Sequence, residues 1–241
     1  MVTMICSTST AKHGFPSAVS SSAVELDASW STPVWGRPNR PMTMATPAAW
    51  SAVSCLSACG PLGIGTDDIT DVVCTHLHAD HVGWLFDRES RPIFRHATIW
   101  FGAGDWQYFI ELHNPLMQDY IRQGFRMHAN DARLRPIDRD TSVAPGITAI
   151  QTPGHTPGHF CVVVSSDGER ALLLGDAITC PVQLDESTWH SIGDVDPSLA
   201  NRTRQRLWRE LEGEDVTGTG SHFPELKFGR VLNGSGKRWW T

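Results

Sequence analysis

The sequence of 241 residues lacks several features that mark common classes of protein. No apolar run approaches the roughly 18 residues that a membrane-spanning helix needs, so no membrane association is expected. The formal net charge is -6 and no basic run occurs, which argues against a nucleic-acid partner, because phosphate contacts need clustered Lys and Arg. No apolar core follows a basic start at the amino terminus, as it would in a signal peptide.

Cysteine is also sparse, and one common catalytic motif is missing. The six cysteines do not have the density of a disulfide framework, and a reducing cytoplasm is the expected location. Cys74 and Cys161 lie in apolar, strand-like runs and are predicted to be ordinary buried thiols. No G-x-S-x-G nucleophile elbow is present, so a serine nucleophile of that kind is not expected.

Residues 1–60 differ in composition from the rest of the chain. About half of them are Ser, Thr, Ala or Pro, and they have little strand-like or helix-like periodicity. We interpret them as an atypical segment, either a divergent head or the product of a shifted reading frame, which resequencing the coding DNA would decide. Residues 61–241 are predicted to form a single α/β domain, and 40% apolar residues are ample for its core.

The densest polar motif follows residues 71–75, which are predicted to form a short buried strand. His76, His78, Asp80 and His81 lie within six residues of one another. A polar cluster delivered to a strand end must be paired or bound to metal if it is buried. Imidazole and carboxylate suit zinc, with iron, manganese or cobalt as alternatives.

Four donors cannot fill two metal sites, but further donors follow in similar contexts. His155 lies in a Pro/Gly turn after the apolar run 147–150. Asp176 follows a predicted strand at residues 172–174, and His222 lies on a late loop. The sequence therefore supplies enough nitrogen and oxygen donors for two metal ions.

The order of these motifs resembles that of a known family. HxHxDH, a histidine in a Gly-His turn, Gly-Asp and a final histidine is the pattern of the metallo-β-lactamase superfamily, matched over roughly residues 61–232. The resemblance implies an α/β fold, namely a four-layer αββα sandwich of two mixed β-sheets flanked by helices, with the metals at one sheet edge. Members of this family usually begin with two or more hydrophobic strands, which we do not find in residues 1–60.

The resemblance also assigns the donors to two ions, most simply Zn²⁺. One ion would be held by His76, His78 and His155. The other would be held by Asp80, His81 and His222. Asp176 would bridge the two ions.

Such a centre implies hydrolysis. Two divalent ions, about 3.5 to 4 Å apart in typical sites, share a water and present hydroxide to a carbonyl or phosphoryl centre. Asp80 is the catalytic candidate, because it could hydrogen-bond that hydroxide as well as bind metal. The bridging Asp176 favours lactonase, glyoxalase II and phosphotriesterase-like branches, and we prefer a lactonase-like hydrolase. Lactonases often carry a tyrosine shortly after this aspartate, where Thr179 stands here, so ester and organophosphate substrates also stay open.

Three other interpretations remain open. A persulfide dioxygenase has the same fold with a single iron, and metal identity with oxygen consumption would reveal it. A true β-lactamase is the second, although the bridging aspartate is generally lacking there. The third is a metal-binding protein that its unusual amino-terminal segment has inactivated, which would load metal without turnover.

The remaining predictions concern the substrate side and the assembly. Trp106, Tyr108 and His190 are candidate contacts for a small-molecule substrate, although a structural role is also open for each. A homodimer is compatible with the sequence. Asp196 followed by proline predicts the start of a helix that ends at Gly213 and carries a solvated charged face.

Overall fold

The computed structural model describes residues 2–7, 21–26, 64–184, 186, 188–213, 216–223, 227–234 and 237–241. One mixed five-stranded sheet contains, in spatial order, β2 (Ser21–Leu26), β1 (Val2–Ser7), β3 (Ile69–Cys74), β4 (Thr98–Gly102) and β5 (Leu134–Ile137). Strands β3, β4 and β5 run parallel to one another, while β1 is antiparallel to both β2 and β3.

The second five-stranded sheet is mixed as well. In spatial order it contains β10 (Val216–Thr219), β9 (Glu169–Leu173), β8 (Phe160–Ser166), β7 (Ile147–Gln151) and β6 (Thr141–Ala144). Strand β10 is parallel to β9, and the other neighbouring pairs are antiparallel. Two further strands, β11 (Val231–Gly234) and β12 (Lys237–Trp240), form a separate antiparallel pair.

Helical segments connect and cover the sheets. The α-helices are α1 (Ala79–Val82), α2 (Ala103–Asp105), α3 (Asp119–Met127) and α4 (Pro197–Leu211). A π-helix, Trp106–Glu111, continues α2, and short 3₁₀ helices occupy Thr66–Asp68 and Pro181–Leu184. Among the described residues, no helix is both long and apolar enough to cross a membrane.

Three apolar layers hold these elements together, and the period-2 alternation of the strands creates them. In β3, Val72 packs into the cluster that contains residues of α3, whereas Val73 packs into a cluster shared by the two sheets. In β9, Leu172 joins the cluster that contains Trp208 of α4, while Leu173 joins the layer between the sheets. Three apolar layers separate four structural layers, and the predicted αββα sandwich of two mixed sheets is confirmed.

The amino-terminal segment corrects one expectation. No opening strands were predicted in residues 1–60, yet Val2–Ser7 and Ser21–Leu26 are strands, and the first pairs with β3. Both are six residues long and lie in Ser/Thr/Ala-rich sequence, so their local signal is weak. The strand β3, with which β1 pairs, is also distant in sequence. The rest of residues 1–60, including any Asp-Thr-Gly-like turn, lies outside the described residues. The division at residue 60 and its two explanations therefore stay predictions.

Candidate metal centre

The predicted donors follow four strands that end at the same edge of the sandwich. His76 and His78 follow β3, and His155 lies in the turn after β7. Asp176 follows β9 and His222 follows β10. Strands β7, β9 and β10 point the same way, because β8 is antiparallel to both β7 and β9 and β10 is parallel to β9. The alternation of strand directions thus brings donors separated by up to 146 residues of sequence to one edge.

The HxHxDH segment is held by its backbone and by Thr75. His78 precedes α1 in extended conformation, and its carbonyl accepts hydrogen bonds from the amides of His81 (2.9 Å) and Val82 (3.2 Å). This short turn brings Asp80 and His81 back towards His78. The carbonyl of Thr75 accepts a hydrogen bond from the amide of Phe160 at 2.8 Å, which joins the two sheets beside the donors.

Asp176 lies between histidines from both predicted ligand sets. Its Oδ1 is 3.4 Å from His81 Nε2, and its Oδ2 is 3.5 Å from His155 Nε2 and 3.2 Å from His222 Nε2. The Nδ1 of His78 is 3.0 Å from His155 Nε2. The structure therefore brings these donors together as the sequence predicts.

Among the described residues, three overlapping groups of side chains have ligand atoms within 4.8 Å of one another. The groups are His76, His78 and His155; His76, His81 and Asp176; and Asp80, His81 and His222. The first and third coincide with the two ligand sets that the resemblance implies. The second joins them through Asp176.

Two buried atoms in this cluster indicate that the donors fit a cation. His76 Nε2 and Asp176 Oδ1 have no hydrogen-bond partner among the described residues. Buried polar atoms are normally paired, because removing them from water without a partner is costly. The other nitrogen of His76, Nδ1, lies 3.1 Å from Thr75 Oγ1, which can accept a hydrogen bond from Nδ1–H and so leave the lone pair on Nε2. Imidazole and carboxylate together suit zinc and neighbouring divalent metals.

The electrostatics favour neutral imidazoles and ionised carboxylates in the interior. Burial, and then the neighbouring His81, lowers the pKa of His76, and burial with His155 lowers the pKa of His78 to about 4. Burial alone would raise the pKa of Asp176, but the nearby His222 and His81 lower it below its ordinary value. Neutral imidazole and carboxylate are the forms that bind metal.

The opposite shift occurs at the open side of the cluster. Asp176 raises the pKa of His222 to about 9, so without a cation this histidine carries a proton at neutral pH. Asp80 and His222 expose 26% and 29% of their side chains, whereas His81 and His155 expose 2% each. A small molecule therefore has access from the side of Asp80 and His222.

Sequence reasoning missed one carboxylate that organises the cluster. Asp105 is fully buried at the end of α2 and accepts hydrogen bonds from Leu77 N (3.0 Å), Thr156 Oγ1 (3.0 Å) and Gly158 N (2.7 Å). It therefore joins the HxHxDH segment to the turn that carries His155. The sequence did contain a signal for Asp105, because an acidic residue shortly after an apolar strand, here β4, is a candidate functional residue.

His159 lies behind Asp176. Its Nε2 accepts a hydrogen bond from the amide of Asp176 at 3.1 Å, so Nδ1 carries the proton and donates to Thr152 Oγ1 at 2.7 Å. One of these hydrogen bonds lies within the turn, and the other reaches the donor cluster.

The predicted substrate contacts lie in different environments, and their role stays a prediction. Trp106 is partly buried, packs on Phe101 and Phe125 and donates to Glu111. Tyr108 is partly buried, and its ring packs against that of Phe109, which in turn contacts the ring of His78. His190 is exposed, with Nδ1 3.4 Å from Thr188 O.

Comparison with known families supports the interpretation of the donor pattern. The family model described as metallo-beta-lactamase superfamily matches residues 54–216, more than half of the chain. This chain belongs to the metallo-beta-lactamase superfamily. The resemblance that the HxHxDH pattern predicted is therefore confirmed. His222 lies beyond the residues that the superfamily model matches.

Curated relatives are about a quarter identical to this superfamily member over the residues that align. An N-acyl homoserine lactonase of Bacillus thuringiensis is 27% identical over 154 residues, which are 64% of this chain and 55% of the relative. A probable metallo-hydrolase of Mycobacterium tuberculosis is 26% identical over 132 residues, 48% of this chain and 39% of the relative. The chain thus spans about half the length of the lactonase.

Solved structures show the same fold. The chain is similar to AidC, a dizinc quorum-quenching lactonase, with a TM-score of 0.65 and 21% identity over 77% of this chain and 68% of that one. It is also similar to AbOPH, a hydrolase in the beta lactamase superfamily, with a TM-score of 0.68 and 22% identity over 80% and 70% of the two chains. These likenesses confirm the metallo-beta-lactamase fold.

Proposed function

We propose that this chain is a metal-dependent hydrolase that binds two divalent cations, most simply Zn²⁺, and cleaves a lactone or a related ester. The observation that carries the proposal is the convergence of seven His and Asp side chains around two buried atoms, His76 Nε2 and Asp176 Oδ1, that lack a hydrogen-bond partner among the described residues. Donors left unpaired in the interior are suited to a cation and unsuited to an apolar ligand.

The donor groups suggest how two cations would be held. His76, His78 and His155 would hold one cation, and Asp80, His81 and His222 the other. Asp176 would contact both, because its Oδ2 lies near His155 of the first group and His222 of the second, and its Oδ1 lies near His81 of the second.

Hydrolysis needs an activated water and stabilisation of negative charge on the substrate. When bound, a pair of divalent cations lowers the pKa of a water molecule and polarises a carbonyl or phosphoryl oxygen. Asp80 Oδ2 lies 3.4 Å from His81 Nε2 and 3.6 Å from His222 Nε2, at the partly exposed side. There it can accept a hydrogen bond from the entering water and orient it towards the substrate.

Two exposed apolar side chains belong to the segment that passes beside the donors. A Cβ added at Gly193 would lie 2.9 Å from His155 Cε1 and 3.3 Å from His78 Cε1, so this segment passes directly beside two donors. Its neighbour Ile192 is 82% exposed and Trp189 is 46% exposed. Apolar side chains beside the donors could contact an acyl group, and the homology to an N-acyl homoserine lactonase agrees with this.

The test is metal-dependent turnover of a substrate panel by the purified chain. The panel contains an acyl homoserine lactone, a nitrophenyl ester, S-lactoylglutathione, methyl parathion and nitrocefin. We expect hydrolysis of the lactone or the ester, its loss on treatment with a chelator and its return with Zn²⁺. His96→Asn serves as a control, because His96 is exposed and belongs to none of the donor groups, and it should retain wild-type rates.

Other results would select the other interpretations. Turnover of nitrocefin alone would indicate a β-lactamase. One iron per chain with oxygen consumption in the presence of a persulfide would indicate a dioxygenase. Full metal loading with no turnover of any panel member would indicate an inactive metal-binding protein. A cytoplasmic location and a homodimer stay predictions.

A further inference from the structure

The turn that carries His155 is bound to a second segment, which the donor motifs did not predict. Nδ1 of His155 lies 2.9 Å from Asp194 Oδ1, although the two residues are 39 positions apart. The amide of Val195 donates to the carbonyl of His155 (2.9 Å), and the amide of Asp196 donates to the carbonyl of Gly154 (3.0 Å). These backbone hydrogen bonds fix the register between the two segments, so Asp194 is held opposite the imidazole.

This contact determines which nitrogen of His155 can act as a donor. A neutral imidazole carries one proton, and an ionised carboxylate can only accept a hydrogen bond. The proton therefore lies on Nδ1, towards Asp194. The lone pair is then on Nε2, which lies 3.0 Å from His78 Nδ1 and 3.5 Å from Asp176 Oδ2.

Asp194 is itself fixed by a buried arginine. Its side chain is 0% exposed, and Oδ2 accepts hydrogen bonds from Arg204 Nη2 (2.7 Å) and from the amide of Ser191 (2.9 Å). Arg204 lies on α4 and is 2% exposed. A buried carboxylate and a buried guanidinium are tolerated only when they are paired, and here each is the other's partner.

The same arginine reaches the segment that follows Asp176. Arg204 Nε donates to the carbonyl of Ala177 at 2.9 Å. The guanidinium of Arg204 thus contacts both Asp194, which holds His155, and the residue next to Asp176. Helix α4, which carries Arg204, begins two residues after Asp194's neighbour Val195, where Asp196 caps it by accepting from the amide of Leu199 at 2.9 Å.

We propose that Asp194 and Arg204 are positioning residues that fix Nε2 of His155 as the metal-binding nitrogen and hold it in register with Asp176. This rests on the proposed two-cation function. The pair contacts His155 of the first group and the residue after Asp176. In the other group, Asp80 lies against His81 and His222, and His222 lies against Asp176. Loss of the pair therefore weakens the cation at His76, His78 and His155 more than the other cation.

The experiment compares zinc affinities and stoichiometries of the full chain and its Asp194→Asn variant, by competition with a chromophoric chelator. Asparagine has a single acceptor oxygen, so it cannot serve both His155 and Arg204. We expect the affinity for one zinc to fall by about 10- to 100-fold, the usual effect of removing the hydrogen-bond partner of a ligand, and the affinity for the other to be retained.

A second variant and a matched control separate positioning from stability. Arg204→Lys keeps a positive charge beside Asp194. A lysine ammonium lacks the planar guanidinium fork and cannot reach both Asp194 and Ala177, so we expect the same selective loss of affinity for one zinc, to a smaller degree. Glu212→Gln breaks another carboxylate–arginine pair near the end of α4, with Arg238 at 2.7 Å, and should leave both zinc affinities unchanged. The cobalt-loaded Asp194→Asn protein should also have a shifted visible absorption spectrum, because the geometry at one ion changes.

The outcomes separate this inference from the proposed function. Equal zinc affinities for wild type and Asp194→Asn overturn the positioning role, however many ions are bound. A parallel loss of both ions with an unshifted cobalt spectrum also overturns it, because general destabilisation explains that result. If the wild type binds a single ion and Asp194→Asn weakens it, the two-cation function is wrong and the positioning role stands.

Discussion

At the scale of single residues, Asp176 is the carboxylate that both donor groups share. Its oxygens lie within 3.5 Å of nitrogens from His81, His155 and His222. We expect Asp176→Ala to lose most of one metal ion per chain and to lower the hydrolytic rate by about a hundredfold or more, since a charge that stabilises the reacting centre is removed. Elemental analysis and initial rates measure the two effects.

The matched control is Asp138→Ala, an exposed carboxylate that pairs only with Arg139 in the described structure. It should keep the metal content and the rate of the wild type. Unchanged stoichiometry and rate in Asp176→Ala would refute its place between the two ions.

Gly175, immediately before Asp176, gives a second prediction. Its φ is +54°, and an added Cβ would lie 2.8 Å from His159 Nε2 and 2.9 Å from Thr75 Cβ. We expect Gly175→Ala to lower the free energy of unfolding by about 2 to 4 kcal/mol, from left-handed strain plus the clash, as measured by urea denaturation. Gly168→Ala is the control, because φ there is +87° and no atom of the described part of the chain lies within 4 Å of an added Cβ, so only the strain applies. Equal losses in the two variants would show that the close contacts at Gly175 contribute nothing.

At the scale of elements, Asp105 joins the segment after β3 to the turn after β7. Burial raises its pKa to about 6, although its three hydrogen bonds oppose this. We expect Asp105→Asn to cost about 1.5 to 3 kcal/mol of unfolding free energy in urea, because an amide cannot accept all three hydrogen bonds and a buried donor loses its partner.

A turn on the surface supplies the comparison for Asp105. Asp87 accepts hydrogen bonds from the amides of Glu89 and Arg91 and from Arg91 Nε, but in an exposed turn. Asp87→Asn should change stability by less than about 0.5 kcal/mol, the usual range for surface substitutions. If Asp105→Asn lowers the free energy of unfolding by no more than this, the contacts of Asp105 with the two segments do not stabilise the fold.

Elements with strong local signals could be predicted from the sequence, and those that depend on distant partners could not. Helix α4 begins at Pro197 after the Asp196 cap, as its motif predicts. Arg202 is exposed on this helix, in keeping with a solvated charged face, but Arg204 is buried and was not predicted. Its role depends on Asp194 and the carbonyl of Ala177, which helical periodicity cannot reveal. The donor motifs were found because each follows a strand end within a few residues.

At the scale of the whole molecule, we expect the cluster of buried donors to couple metal binding to the stability of the fold. Removal of metal should lower the melting temperature by about 5 to 10 °C, since an ion at a hundred times its Kd contributes about 2.7 kcal/mol and a chain of this size loses about 2 to 4 °C per kcal/mol. Differential scanning calorimetry before and after chelation measures this. Zn²⁺ should restore the transition and Ca²⁺ should not, because imidazole is a poor ligand for calcium. An unchanged melting temperature after verified metal removal would contradict the coupling.

The fold could be predicted as a whole because an ordered set of motifs identified the family, which periodicity alone does not do. The three apolar layers form because neighbouring apolar residues of a strand point to opposite faces of the sheet, as Val72 and Val73 do. The strands at Val2–Ser7 and Ser21–Leu26 were missed because the pairing of the first with β3, and of the second with the first, is set by the sheet and not by their own composition.

The measurement that tests the central claim most directly is the metal content of the purified chain after equilibration with Zn²⁺ and removal of free metal. Elemental analysis should find two ions per chain, as expected from the donor groups that meet at Asp176. One ion or none per folded chain would contradict the binuclear centre.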